Sequence, residues 1–259
     1  MSVDREVLYA HLKRLKLRRI REILESGDEE AFSGFSDPVE LIFELTQREV
    51  TAREETQRQR RFQKARFPAV KTLDDFDFDI QRSVDEDRLR ALARLGFVKT
   101  SENIVFLGPP GVGKTHLAIA LGVCAVEGGY DVLFSTAEEL VDDLYASLAD
   151  GTFKQQLGRY GRHDVLIVDE LGFLDLDRTA SNHFFQVINQ AYERQSIILT
   201  SNRPFQEWAG LFDDAVVVSA ILDRLLHHVH LFNLKGDSYR LKDTLHSPDV
   251  RGVEAPTRG

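Results

Sequence analysis

Residues 108–115 read GPPGVGKT. It matches the pattern Gly-x-x-x-x-Gly-Lys-Thr, in which the glycines let the backbone wrap around phosphate groups with its N–H groups pointing inward. An apolar run at 104–107 precedes it, and a run of helical composition at 116–125 follows it. A strand, a loop and a helix in this order form a nucleotide site, because the helix directs the positive end of its dipole at the phosphates.

Individual residues of this loop have separate expected roles. Lys114 is expected to reach the β- and γ-phosphates, and the hydroxyl of Thr115 is expected to ligate Mg²⁺. The other residues expected to line the cofactor site are Gly108, Pro109, Pro110, Gly111, Val112, Gly113 and His116. The predicted cofactors are therefore ATP and Mg²⁺.

A second motif, VLIVDE at 165–170, is an apolar run that ends in two carboxylates. Strand ends in open parallel sheets face the ligand crevice. We expect Asp169 to hold Mg²⁺, usually through water, and Glu170 to act as the general base on the attacking water. Together with the phosphate-binding loop, this pair indicates hydrolysis of a nucleoside triphosphate rather than phosphoryl transfer to a small molecule.

A third motif, IILTSNR at 197–203, is another apolar run followed by small polar residues. A neutral polar side chain at this strand end could orient water against the γ-phosphate. The strand end offers Thr200, Ser201 and Asn202, although a Ser-Asn pair also forms ordinary turns.

A fourth motif, ILDRLL at 221–226, reads as a helix with one buried face and Arg224 exposed at its side. One interpretation is a surface Asp–Arg pair, which is the commoner case for an isolated arginine. The other is an arginine finger, which stabilises charge in the site of a neighbouring subunit.

Between residues 85 and 233, apolar strand candidates alternate with segments of helical composition. Continuous apolar strands separated by helices indicate an α/β protein with a parallel sheet covered on both faces. The predicted strands are 104–107, 131–135, 164–168, 196–200 and 228–233. The predicted helical segments are 85–95, 114–127, 137–149, 179–194, 205–211 and 218–226.

The region before the sheet has a different character. Residues 5–24 have apolar side chains at helical spacing, and a capping pattern at Asp37 predicts a helix that runs to about Lys64. These features predict four segments along the chain. They are a helical N-terminal domain at 1–67, a linker with a short helix at 68–100, the ATPase core at 101–245 and a disordered tail at 246–259.

Charge is unevenly distributed over the chain. The net charge is −9, yet the first 71 residues hold 15 Lys and Arg against 13 Asp and Glu. A chain this acidic would not bind DNA by bulk charge, but a local basic patch could. The predicted phosphate contacts are Arg58, Arg60, Arg61 and Lys64. The alternative is that they form a solvated helix face, as charge runs usually do.

Composition excludes several classes of protein. No apolar run approaches the roughly 20 residues that a bilayer-spanning helix needs, and the N-terminus has no apolar core typical of a secretory signal. The one cysteine, Cys124, forms no internal disulfide. These features predict a cytoplasmic protein without a membrane partner.

The four motifs in this order resemble the AAA+ ATPases, and the longer runs around them resemble the IstB-like helper ATPases of bacterial transposable elements. That branch is similar to the helicase loader DnaC. The resemblance covers residues 5–245. The runs that carry it are LGPPGVGKTHLAIALG at 107–122, DVLIVDELGFLDLD at 164–177, FFQVINQAYERQSIILTSNRPFQEW at 184–208, SAILDRLLHHVH at 219–230 and the linker KARFPAVKTLDDFDFD at 64–79.

The resemblance implies a P-loop AAA+ core whose five-stranded parallel sheet has the order 5-1-4-3-2, preceded by a small helical domain. It implies that Asn202 is the sensor-1 residue, that Arg224 is the arginine finger and that Arg240 stands at a sensor-2 position. It further implies an ATPase that forms homo-oligomers on duplex DNA, with its ATP sites at subunit interfaces, and that recruits or stimulates a partner transposase.

Two other functions remain open at this stage. A replicative helicase loader would have almost the same core but would act on a helicase and single-stranded DNA; an adjacent transposase gene would argue against it. A non-catalytic nucleotide switch would bind ATP without turnover, and the intact Asp169 and Glu170 argue against that.

Overall fold

The computed structural model describes most of the 259-residue chain. The described residues are 4–27, 35, 37–173 and 175–236. Backbone contacts divide the chain into two compact units, Met1–Arg60 and Arg61–Gly259. Arg240 and the predicted tail at 246–259 lie outside the described residues, and the predicted segment boundaries stay predictions. Among the helices within the described ranges, none is both long and apolar enough to cross a membrane.

The first unit is helical. Its helices are α1 Arg5–Arg14, α2 Arg18–Ser26 and α3 Pro38–Ala65, the last of which continues into the second unit. The helical spacing over 5–24 corresponds to two helices because Lys16 adopts a left-handed φ of 58° between them. The carboxylate of Asp37 accepts a hydrogen bond from the N–H of Val39, which agrees with the predicted start of α3.

A buried carboxylate joins two of these helices. Glu49 of α3 is 4% exposed, and it accepts hydrogen bonds from the N–H groups of Arg18, Arg19 and Ile20 at 3.2, 2.6 and 3.2 Å. These N–H groups begin α2, where they have no partner within the helix. Burial opposes ionisation of Glu49, but these bonds and the Arg53 side chain outweigh it and lower its pKa. Glu49 therefore acts as the N-terminal cap of α2.

The second unit is built around one parallel sheet. The strands are β1 Asn103–Leu107, β2 Val132–Thr136, β3 Val165–Leu171, β4 Ser196–Ser201 and β5 Val229–Asn233. Their order is β2-β3-β4-β1-β5, and every pairing is parallel. The predicted strand order is thus confirmed, and each strand end lies within three residues of its predicted position.

Helices cover both faces of this sheet. They are α4 Glu86–Leu92, α5 Gly96–Lys99, α6 Lys114–Glu127, α7 Ala137–Ala149, α8 Phe153–Tyr160, α9 Arg178–Ala191 and α10 Ala215–Leu226, with a 3-10 helix at Phe205–Gly210. Alternate residues of β1 belong to different cores: Ile104 and Phe106 pack with α6, whereas Val105 and Leu107 pack on the face of α7 and α9. Burial on both faces explains why the strands read as continuous apolar runs.

Three helices differ from their predicted extents, and a fourth was not predicted. Helix α9, predicted at 179–194, ends at Ala191. The predicted segment at 85–95 ends at Leu92, and Leu95 then adopts a φ of 65° before the short helix α5. Helix α10 begins three residues early because Asp214 accepts hydrogen bonds from the N–H groups that follow it. Helix α8 had no sequence prediction; it is a mostly polar segment held by its last residue, Tyr160, which is 2% exposed.

Candidate nucleotide site

The phosphate-binding loop connects β1 to α6, and the side chain of Lys114 folds back onto the loop backbone. Lys114 is the first residue of α6 and is only 8% exposed. Its Nζ donates hydrogen bonds to the carbonyl oxygens of Gly108 and Pro109 at 2.7 and 2.8 Å. The ammonium group therefore lies over the loop, where a bound anion would meet both its charge and the amino end of α6.

Two glycines of the loop have a geometry that a side chain would not permit. Gly108 has a φ of 149°, and a Cβ there would lie 2.3 Å from the carbonyl oxygen of Leu234. Gly113 has a φ of 97°, and a Cβ there would lie 2.5 Å from the ring of Phe76. The loop is thus bounded at one end by the residue that follows β5 and at the other by the linker.

Linker residues contact the loop more closely than the sequence suggested. Gln81 is 2% exposed, and its Nε2 donates to the carbonyl oxygen of Val112 at 3.2 Å. The ring Nε2 of His116 lies 2.8 Å from the carbonyl oxygen of Thr72. The sequence indicated only an extended linker here, and Gln81 offered no motif by which to find it.

Three side chains from three elements meet at the carboxyl edge of the sheet. Asp169, at the end of β3, is 3% exposed. Its Oδ1 accepts hydrogen bonds from Thr115 Oγ1 at 2.9 Å and from Thr200 Oγ1 at 2.5 Å. Burial raises the pKa of Asp169, whereas the two hydroxyl donors act in the opposite direction. The structure thus brings Thr115 and Asp169 together, as their predicted shared role requires.

These side chains suit Mg²⁺ only in combination with phosphate oxygens. Hydroxyl and carboxylate oxygens are ligands that Mg²⁺ accepts, and the ion is commonly held by one or two carboxylates together with substrate phosphates. Within the described ranges, no three or more His, Cys, Asp or Glu side chains cluster so as to hold a metal ion on their own. Thr115 and Asp169 fit an ion that arrives with a nucleotide.

Glu170 faces solvent beside this pair. It lines one cavity of about 570 Å³ together with Thr115 and Asp169. Its φ of 63° is left-handed, a conformation that is uncommon outside glycine and that clusters at functional sites. Its N–H donates to Thr200 Oγ1 at 3.0 Å. A general base at this position would act next to the magnesium ligands.

Asn202 follows the end of β4 and is half-buried. Its Oδ1 is buried and has no hydrogen-bond partner among the described residues. A Cβ on Gly172, which comes just after β3, would lie 2.3 Å from that oxygen. Buried polar atoms normally have partners, so this amide is able to engage a further group near the site. Its role as sensor-1 residue stays a prediction.

Arg224 lies away from this edge of the sheet. On α10, its Nε donates to Asn189 Oδ1 at 3.0 Å, and its guanidinium carbon lies 5.0 Å from the ring centre of Phe185. The side chain is half-buried rather than exposed, and among the described residues it forms no ion pair. It borders a small cavity with Asn103, the first residue of β1, and Ile197, the second residue of β4, which both lie near the amino edge of the sheet. Arg224 therefore cannot reach the phosphate-binding loop of its own chain.

The predicted DNA contacts lie along the last two turns of α3. Arg58, Arg60 and Lys64 are exposed. Arg58 pairs with Glu55 at 3.0 Å, and Arg61 is half-buried and pairs with Asp131 at 3.5 Å. All four cations are on one helix, but two of them already have acidic neighbours.

Comparison with known proteins gives one family. The family of IstB-like ATP-binding proteins matches residues 10–247. The chain is 44% identical over 232 residues to an insertion sequence IS21 ATP-binding protein of Pseudomonas aeruginosa, covering 90% of this chain and 88% of that one. It is 42% identical over 239 residues to an insertion sequence IS5376 ATP-binding protein of Geobacillus stearothermophilus, covering 92% and 95%. In fold it is similar to AMPPCP-bound DnaA from Aquifex aeolicus, with a TM-score of 0.56, 27% identity and coverage of 70% of this chain and 56% of that one.

The sheet order, the phosphate-binding loop and the carboxylate at the end of β3 define a P-loop protein of the AAA+ class. Within that class, the chain belongs to the family of IstB-like ATP-binding proteins.

Proposed function

We propose that this protein hydrolyses ATP with Mg²⁺ as it oligomerises on duplex DNA, and that it recruits or stimulates the transposase of a bacterial insertion sequence. The observation that carries the catalytic part is the meeting of Thr115, Asp169 and Glu170 in one cavity beside the phosphate-binding loop. Relatives at 44% and 42% identity that are described as insertion-sequence ATP-binding proteins support the biological role.

The chemistry follows from the positions of these side chains. The loop amides and the Lys114 ammonium bind the β- and γ-phosphates, and Thr115 and Asp169 hold the ion. Bound Mg²⁺ supplies positive charge that stabilises the phosphate oxygens. Glu170 faces the cavity and takes a proton from the attacking water. Asn202 orients that water from the neighbouring strand end.

The remaining catalytic charge comes from a second copy of the chain. Arg224 lies toward the opposite edge of the sheet from Lys114, so it serves a site other than its own. An arginine supplied in trans stabilises the transferring phosphoryl group and can raise turnover about a thousandfold. This arrangement links ATP turnover to assembly.

Assembly on DNA requires a positive surface, and the end of α3 provides one. Arg60 and Lys64 are four residues apart on the helix and both are exposed, so they lie on one face. Neutralising phosphates with such cations releases counterions and favours binding at low salt. We assign the contacts to the DNA backbone, because phosphate oxygens attract such cations whatever the base sequence.

The deciding experiment measures assembly and turnover together. Purified protein is mixed with ATP and duplex or single-stranded DNA, its mass distribution is recorded by mass photometry, and phosphate release is measured in parallel. The proposal expects large ATP-dependent complexes on duplex DNA with stimulated phosphate release, and neither effect with Lys114→Ala. Assembly on single-stranded DNA alone would support the helicase-loader function instead. Undetectable phosphate release with either DNA would contradict an ATPase.

A further inference from the structure

Thr200 belongs to the IILTSNR motif, but the motif did not indicate that it contacts both acidic residues of the site. It is on β4, two residues before Asn202, and is 1% exposed. Its hydroxyl contacts both acidic residues of the site: it donates to Asp169 Oδ1 at 2.5 Å and accepts from the N–H of Glu170 at 3.0 Å. A hydroxyl has one donor and two acceptor positions, so a single side-chain conformation satisfies both bonds.

The contact coincides with an irregularity between β3 and β4. Val168 pairs with Leu199, but Leu171 pairs with Ser201, so two residues of β3 lie opposite Thr200 alone. An extra residue of this kind is a β-bulge, which disrupts the hydrogen-bond ladder and redirects a side chain. The N–H of Glu170 lies within the bulge, and the Thr200 hydroxyl accepts its hydrogen bond in place of a backbone carbonyl.

The bulge determines where the two carboxylates point. Asp169 is buried, yet the next residue, Glu170, is exposed and lines the cavity with a φ of 63°. A left-handed φ in a non-glycine residue costs on the order of 1–3 kcal/mol and persists only where the surroundings enforce it. Among the described residues, Thr200 supplies the side-chain contact to the Glu170 backbone.

We propose that Thr200 is a positioning residue for ATP hydrolysis, holding the Asp169 carboxylate toward the magnesium position and the Glu170 bulge toward the attacking water. The proposal rests on the hydrolysis proposed above. Thr115 donates to the same oxygen of Asp169, but it is itself an expected ligand of the ion. Thr200 is the donor that can keep Asp169 oriented in both the free and the nucleotide-bound protein.

The side chain also has the stiffness that such a role needs. Threonine is branched at Cβ, so its χ1 angle is restricted within a strand. Valine has nearly the same shape but lacks the hydroxyl, whereas serine keeps the hydroxyl and lacks the methyl group. The two replacements therefore separate hydrogen bonding from packing.

The test compares Thr200→Val, Thr200→Ser and Ser196→Ala in the full-length protein. Ser196 is a matched control, because it begins the same strand, is fully buried, and donates its hydroxyl to the carbonyl of Phe97 at 3.0 Å, far from the site. The measurements are kcat and KM with duplex DNA, the Kd of a fluorescent ATP analogue with and without Mg²⁺, and the melting temperature.

For Thr200→Val we expect kcat to fall by about tenfold to 100-fold while the Kd for the analogue with Mg²⁺ changes by less than about threefold. The gain in affinity on adding Mg²⁺ should shrink, since Asp169 is less well oriented. Thr200→Ser should restore kcat to within about threefold of wild type, and Ser196→Ala should retain it, even if its melting temperature falls.

The outcomes distinguish a failure of the positioning role of Thr200 from a failure of the proposed ATP hydrolysis. Wild-type turnover and wild-type magnesium dependence in Thr200→Val would overturn the positioning role while leaving the ATPase proposal intact. Equal losses of kcat in Thr200→Val and Ser196→Ala, in step with melting temperature, would also overturn it, because they would indicate a purely structural hydroxyl. If the wild-type protein itself releases no phosphate, the proposed function fails, and the magnesium dependence of binding still tests the role of Thr200 at Asp169.

Discussion

The two edges of the sheet differ in what they hold. At the carboxyl edge, Thr115 and Thr200 both donate hydrogen bonds to Asp169, and Lys114 donates to the phosphate-binding loop. Toward the amino edge, Arg224 is held by Asn189 and packs on Phe185. The fold thus places the candidate nucleotide site at one edge and Arg224 toward the other. A single copy does not bring the two edges together, so the proposed arginine finger needs a second copy of the chain.

The largest expected effect comes from removing the arginine. Arg224→Ala should lower DNA-stimulated kcat by about a thousandfold, because a finger in trans stabilises charge that develops during transfer. Binding of a fluorescent ATP analogue should change by less than about threefold, since Arg224 lies far from the loop of its own chain. Arg94→Ala, at an exposed arginine, is the control and should keep wild-type turnover. An equal loss of nucleotide affinity would mean that Arg224 contacts the nucleotide bound to its own chain, which would contradict the proposed separation of the two edges.

The next effect tests the carboxyl edge. Glu170→Gln keeps the size of the side chain but removes the base, so kcat should fall by about 100-fold or more. Affinity for ATP with Mg²⁺ should be retained, as Lys114, Thr115 and Asp169 are unchanged. The comparison variant is Glu207→Gln, at an exposed position of the 3-10 helix. Turnover within a few-fold of wild type would mean that another group activates the water.

A smaller effect concerns the cations at the end of α3. Replacing Arg58, Arg60, Arg61 and Lys64 with glutamine should weaken duplex binding at moderate salt. The slope of log K against log salt should fall by about 2 to 3.5. The lower bound applies if Arg58 and Arg61 remain engaged with Glu55 and Asp131. The control removes the same charge at other exposed sites, namely Arg82, Arg94, Lys99 and Arg194. An unchanged slope would identify the cluster as a solvated helix face.

The smallest effect is local to the first unit. The pKa of Glu49 is lowered in the folded protein, so its stabilising contribution is present above the unfolded pKa of about 4.3 and is lost as pH falls through the folded value. Glu49→Gln should reduce the free energy of opening α2 by about 1–2 kcal/mol at neutral pH. Hydrogen–deuterium exchange of residues 18–26 measures this, with Glu54→Gln as the control. The difference from wild type should shrink at pH 4; a constant difference would exclude the charge as the cause.

The sequence predicted the sheet well because its strands are buried on both faces. Ile104–Leu107 and the other apolar runs read directly as parallel strands, and the residues just beyond them fall at one edge. Lys114, Thr115 and Asp169 could be placed together on that ground alone. Their grouping follows from local pattern and from the regular geometry of parallel sheets.

Contacts between distant segments could not be read in the same way. Thr200 meets Asp169 and Glu170 through a bulge between two strands, and no periodicity marks such a bulge. Arg224 was expected to be exposed, but its bond to Asn189 on another helix orders it. Lys16 separates α1 from α2 through a left-handed φ, which is not indicated by a lysine at that position. Each depends on tertiary structure rather than on local sequence.

Mixing two impaired variants tests whether a second copy of the chain completes each site. Glu170→Gln keeps Arg224 but lacks the base, and Arg224→Ala keeps Glu170 but lacks the finger. If each site takes its arginine from a neighbour, random co-assembly on duplex DNA should restore turnover to about one quarter of wild type, because about one in four neighbouring pairs then combines an intact base with an intact finger. Turnover that remains at the sum of the two separate variants, in complexes shown to contain both, would contradict a site completed by a second copy.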